Sequence, residues 1–131
     1  MEKTTDLSGI SGGALAYLGD AVLELYVREF LVSRGISSSK ELNTAAQDFV
    51  RSAAQSAALE RILPMLTEKE LEIYKNGRNN NKVRVPRSSA ALDYRRATGF
   101  EALFGYLHLA GEKSRTDELF AAAYEDVMAK F

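Results

Sequence analysis

Residues 14–31 read ALAYLGDAVLELYVREFL. Leu15, Leu18, Val22, Leu25 and Tyr26 return there at helical spacing, which predicts an amphipathic helix and not a strand. Ser8 or Ser11 is placed to cap its start, and Gly35 to end it. Beyond the glycine, serines 37–39 offer a cap for a second run, ELNTAAQDFVRSAAQSAALERIL (41–63), as one bent helix or two. Pro64 breaks that run, and Thr67 with Glu70 three residues later forms a capping box that opens TEKELEIYKNG (67–77). Another helical run, SSAALDYRRATGFEALFGYLHLAG (88–111), is capped by Ser88 or Ser89, with Gly99 and Gly105 lowering its propensity. SRTDELFAAAYEDVMAKF (114–131) predicts one closing helix with Leu119, Phe120, Ala123, Tyr124 and Val127 on its inner face. No stretch alternates convincingly as a strand and no repeat emerges, so the expected fold class is all-α.

A chain of 131 residues suits one domain, 1–131. Its hydrophobic share of 46% supplies a core, and 27% charged residues are ordinary for a globular protein. With no cysteine and one histidine, disulfides, thiolate zinc sites, cysteine nucleophiles and multi-histidine metal sites within the chain are excluded. What remains is carboxylate and hydroxyl chemistry, served by a hard cation such as Mg²⁺ or Mn²⁺. The opening MEKTTDLSGISGG resembles neither a signal nor a transit peptide, and no apolar run approaches the roughly 18 to 20 residues of a membrane span. The expected setting is cytoplasmic, without a membrane partner.

The formal net charge of −1 hides a strong segregation. Between positions 75 and 96 lie Lys75, Arg78, Lys82, Arg84, Arg87, Arg95 and Arg96 against Asp93 alone, a net +6, so the rest of the chain carries −7. Within it, NGRNNNKVRVPRSS (76–89) has neither helical nor strand periodicity and reads as a mobile basic loop over about 77–88. Such a loop can neutralise phosphates and release their counterions, giving salt-sensitive affinity for nucleic acid; the alternative is a solvated surface loop.

Two acids stand among apolar neighbours: Asp20 in AYLGDAVLEL and Glu101 in ATGFEALFGYL. Burying an ionised carboxylate costs several kcal/mol unless it is paired or ligated. Either an arginine such as Arg95 or Arg96 pairs with each acid, or helix rotation exposes it, or the two converge on Mg²⁺ to activate water against a phosphodiester. His108, two turns after Glu101, reads as a partly buried hydrogen-bonding residue before a base. The six tyrosines read as packing or dimer residues.

LGDAVLEL and FEALFGYLHL together resemble the two signature helices of the ribonuclease III catalytic domain. LAYLGDAVLELYVRE, Gly77–Asn79 and YRRATGFEALFGYLHL resemble more closely Mini-ribonuclease III, the bacterial subfamily made of the nuclease domain alone. The resemblance implies a homodimeric, divalent-metal-dependent endoribonuclease. It would cut double-stranded RNA, in ribosomal RNA precursor maturation, to 5′-phosphate and 3′-hydroxyl ends, with room for a ribosomal protein as a further partner. It makes Asp20 and Glu101 the catalytic metal ligands. Two cage carboxylates of full-length ribonuclease III are replaced here by Ala16 and Thr98; waters, phosphate oxygens or Thr98 could complete the shell. No second RNA-binding module is expected after Phe131. Recognition would then fall to Lys75, Arg78, Lys82, Arg84 and Arg87, reading an A-form duplex by shape. Of Arg95 and Arg96, one could face the scissile phosphate and the other a structural acid. The apolar face of Leu15, Leu18, Leu103 and Leu107 belongs to the dimer interface or to the core. The halved cage leaves a noncatalytic RNA-binding or ribosome-assembly protein as the alternative, and a helical adaptor as a third reading that makes no use of the basic segment.

Overall fold

The computed structural model of the chain describes residues 7, 9–80 and 89–131. Among them the regular structure is helical, with no strand: α1 (Gly12–Ser33), α2 (Ser39–Val50), α3 (Ser52–Ile62), a 3₁₀ turn (Leu63–Met65), α4 (Glu68–Arg78), α5 (Ser89–Leu109), α6 (Lys113–Ala123) and a single-turn α7 (Glu125–Met128). The all-α expectation holds.

Local chemistry sets most of the ends. Ser11 caps α1 by accepting from the Ala14 amide at 3.1 Å, while Ser8 lies outside the described residues. Gly35, at φ 85°, supplies the left-handed residue that turns the chain away from α1. Ser38 accepts from the Glu41 amide at 3.1 Å to open α2. The capping box at α4 is complete: the Thr67 hydroxyl accepts from the Glu70 amide (3.1 Å) and the Glu70 carboxylate from the Thr67 amide (2.9 Å). Helix α5 begins at Ser89 and runs unbroken through both glycines; the Ser88 cap lies outside the described residues.

Two boundaries differ from expectation and one that was left open is decided, each for a tertiary reason. The long second run is two helices, broken at Arg51 (φ −59°, ψ 146°). The buried Tyr124 hydroxyl donates to the Phe49 carbonyl at 2.8 Å, an acceptor that an unbroken helix would give to the Ala53 amide. The closing helix also splits, at Tyr124. There Arg61 Nε donates to the Ala122 carbonyl at 3.0 Å, and the same guanidinium holds Glu125 at 3.0 Å and Asp126 at 2.6 Å. Leu119, Phe120, Ala123 and Tyr124 are buried as expected, and Val127 is half-buried. Finally, α4 continues through Gly77 and Arg78, where the loop was expected to begin, because buried Gly77 packs against Ala102 of α5.

Helix α5 is the axis of the domain, with α1, α3, α4 and α6 laid against it. Leu23, Val27, Leu59, Ile62, Phe100, Leu103, Phe104, Leu119 and Tyr124 make the main core, each large side chain worth about 1.5–3 kcal/mol of apolar transfer. Leu15 joins a second cluster with Ala16, Ile73 and Ala102. Leu15, Leu103 and Leu107 are thus buried and Leu18 packs against the main core, so that apolar face is core.

Candidate active site

The crossing of α1 and α5 is made backbone to backbone. A Cβ on Gly19 would overlap the Glu101 carbonyl and come within 2.9 Å of the Gly105 amide nitrogen. On the facing side, a Cβ on Gly105 would overlap the Leu15 carbonyl and come within 3.0 Å of the Gly19 nitrogen. Only residues without a side chain let two helices approach so closely. Asp20 follows Gly19 directly, and Glu101 supplies the carbonyl that Gly19 rests on. The glycine contact therefore carries one carboxyl from each helix to the same point.

The electrostatics record that meeting. Burial, then the Asp20 charge and a hydrogen bond shared with Asp20, push the half-buried Glu101 carboxyl up to about 8, while a bond to Gln55 of α3 pulls it part of the way back. Asp20 itself is exposed on the solvent side of the pair. Among the described residues no basic side chain forms an ion pair with either acid, so the arginine pairing allowed by the sequence is not made. Arg96 instead pairs with Glu60 and hydrogen-bonds Tyr74. Arg95 is exposed.

Ala16 is buried in the small cluster and offers no ligand atom. The Thr98 hydroxyl donates to the Tyr94 carbonyl at 3.0 Å, one turn back in its own helix. Among the described residues no group of three or more acids and histidines comes together. The donor set is two hard carboxylates without a counter-cation, which suits a divalent ion that keeps most of its waters. His108 is exposed in the last turn of α5.

On the basic side, Lys75 is exposed on α4, and Arg78 stacks its guanidinium 5.6 Å over the Tyr74 ring while donating to Asn79 at 3.1 Å. Lys82, Arg84 and Arg87 lie outside the described residues. Gln55 was not foreseen. Its signal is the helical spacing of Gln55 and Ser56 with Leu59 and Ile62, which places two polar residues on an otherwise apolar face.

An all-helical domain that joins an acid from each of two central helices is the architecture of a ribonuclease III nuclease domain, and that domain family matches residues 13–112. The chain is 44% identical over 109 residues to a Mini-ribonuclease 3 of Symbiobacterium thermophilum, covering 83% of this chain and 84% of the relative. It is 42% identical over 116 residues to that of Enterococcus faecalis, covering 87% and 88%. The crystal structure of a Fusobacterium nucleatum protein superposes with a TM-score of 0.82 at 28% identity, over 94% of each chain. The chain belongs to the Mini-ribonuclease III family within the ribonuclease III enzymes, and it is an endoribonuclease. The resemblance read from LGDAVLEL and FEALFGYLHL is borne out.

Proposed function

We propose that this endoribonuclease cuts double-stranded stretches of structured RNA, in ribosomal RNA precursor maturation, with Asp20 and Glu101 jointly holding Mg²⁺ or Mn²⁺. The observation that carries the reading is the glycine-mediated contact of α1 and α5, which sets two carboxyls side by side with no basic partner among the described residues. Two like charges at one point are unfavourable unless a proton or a cation joins them, so the pair is built to take up positive charge. When bound, the cation would supply Lewis-acid polarisation of the phosphodiester and a more acidic water. Asp20, exposed, would hold the ion from the solvent side, and Glu101 would hold it from the half-buried side. Neither acid is required as a general base.

Arg95 is assigned to the substrate phosphates together with Lys75 and Arg78, and Lys82, Arg84 and Arg87 extend the same basic segment. Arg96 holds α5 to α3 through Glu60. Tyr17 is 86% exposed and Leu25 59%, with exposed Ala21 one turn from each. This uncovered apolar stripe on the helix that carries Asp20 supports a C2 homodimer whose two sites address the two strands of one duplex. Among the described residues no helix is long and apolar enough to cross a membrane, which fits work in the cytoplasm on RNA, with any ribosomal protein acting as a helper.

The test is cleavage of an end-labelled paired RNA duplex at low salt, with Mg²⁺ or with EDTA, by the wild-type chain, Asp20→Asn and Glu101→Gln. Paired staggered cuts that need Mg²⁺ and vanish in both folded variants support the reading. A duplex bound but never cut would hand it to the noncatalytic RNA-binding alternative.

A further inference from the structure

Gln55 lies in the middle of α3 with 3% of its surface exposed, and its side chain hydrogen-bonds the Glu101 carboxyl. Among the described residues no buried side-chain nitrogen or oxygen lacks a hydrogen-bond partner, so this amide sits in a satisfied setting. A buried amide is costly if left unpaired, and an alanine- and serine-rich helix such as SAAQSAALERI could have filled the position with an apolar residue. The chain treats Glu70, a more fully buried acid, differently. Glu70 is held by two bonds from Arg115, at 2.9 and 2.7 Å. Beside Glu101 the corresponding partner carries no charge.

That choice has a chemical consequence. An arginine at 55 would orient the carboxylate and also cancel its charge. A leucine would preserve the charge but leave the carboxylate free to rotate. An amide N–H fixes one oxygen and leaves the full negative charge to act on a cation. We propose that Gln55 is a positioning residue for metal binding: its amide holds the Glu101 carboxylate in the orientation in which it and Asp20 share one divalent ion. The assignment rests on the reading of Asp20 and Glu101 as the ligand pair. Partners that orient a ligating carboxylate commonly account for 10–100-fold in metal affinity.

The experiment titrates Mn²⁺ into the full-length, RNA-free protein and follows free Mn²⁺ by its electron paramagnetic resonance signal. It compares wild type, Gln55→Met and Gln55→Lys, with circular dichroism and Tm recorded for each. Gln55→Met keeps the length and removes the donor, so the Mn²⁺ Kd should rise about tenfold. The Mg²⁺ concentration for half-maximal duplex cleavage should rise in parallel, with most of kcat recovered at saturating Mg²⁺ and no change in RNA binding under EDTA. Gln55→Lys places a cation against the pair and should abolish Mn²⁺ uptake while keeping or raising the Tm of the metal-free protein. A purely structural role would lower Tm and active fraction without moving the metal dependence of the folded protein. An unchanged Mn²⁺ Kd in folded Gln55→Met, or normal uptake in folded Gln55→Lys, overturns the assignment. If wild type takes up no Mn²⁺ while Asp20→Asn behaves identically, the ligand pair itself fails, and Gln55 with it.

Discussion

Glu70 and Glu101 are both acids drawn into the helical packing, and the structure moves them in opposite directions. Glu70 is 6% exposed at the start of α4, and its carboxyl is held below the ordinary range by Arg115, with its own capping box adding to the effect. Arg115 also reaches Glu118 and the Met65 carbonyl, both at 2.8 Å, and so ties α6 to the turn before α4. Glu101 meets no arginine among the described residues; burial and Asp20 raise it to about 8. One carboxylate has been neutralised to hold helices together. The other has been left to seek positive charge from outside the chain. An acid whose charge is already compensated is structural, and one whose charge is left uncompensated at the cost of fold stability is a candidate for function.

The largest expected effect separates activity from stability. Glu101→Gln should lower duplex cleavage by about a thousandfold, roughly 4 kcal/mol of transition-state stabilisation, while leaving the metal-free Tm equal or higher. Glu70→Gln should do the converse, keeping cleavage in the folded fraction but lowering Tm. Cleavage that survives Glu101→Gln would erase the contrast. Next in size, Arg115→Met leaves Glu70 buried without its partner and should cost about 3 kcal/mol in chemical denaturation. A loss below about 1 kcal/mol would mean that solvent replaces the arginine.

The pH dependence of stability should also divide the two acids. Glu101 titrates higher in the folded chain than its ordinary value of 4.5, so its contribution is complete below about 4.5 and is lost as pH rises toward about 8. Metal-free Tm should therefore fall across that window, and the fall should flatten in Glu101→Gln. Glu70, depressed on folding, stabilises above the ordinary carboxylate range and loses that contribution as pH falls through its lowered value. Arg115→Met should remove that acid limb. The smallest effect concerns the helix breaks. Tyr124→Phe removes the bond to the Phe49 carbonyl and should cost about 1 kcal/mol without changing the Mg²⁺ dependence of cleavage.

The helices and most of their ends were legible because their causes lie within a few residues. The Ser11 and Ser38 caps, the Thr67–Glu70 box and Gly35 act over one turn, and the period of residues 14–31 displays its own buried face. The place of the break at Arg51 and the very existence of the one at Tyr124 were not legible. They depend on carbonyls taken by Tyr124 and Arg61, 75 and 61 residues away in the chain. Asp20 and Glu101 could be picked out as acids among apolar neighbours, yet helical spacing gave no means to decide between pairing, exposure and convergence. Gln55 left only a weak trace, two polar residues on an apolar face.

By itself the sequence determined the all-α class, the acid pair worth watching, the segregated basic segment and the family resemblance, since period, capping chemistry and charge are properties of neighbouring residues. Tertiary structure alone decided that Gly19 meets Gly105 and the Glu101 carbonyl, that Arg96 turns to Glu60, and that Gln55 meets Glu101. Those outcomes depend on how closely helices distant in sequence can approach, which is fixed by the atoms on both sides of a contact and by neither side alone.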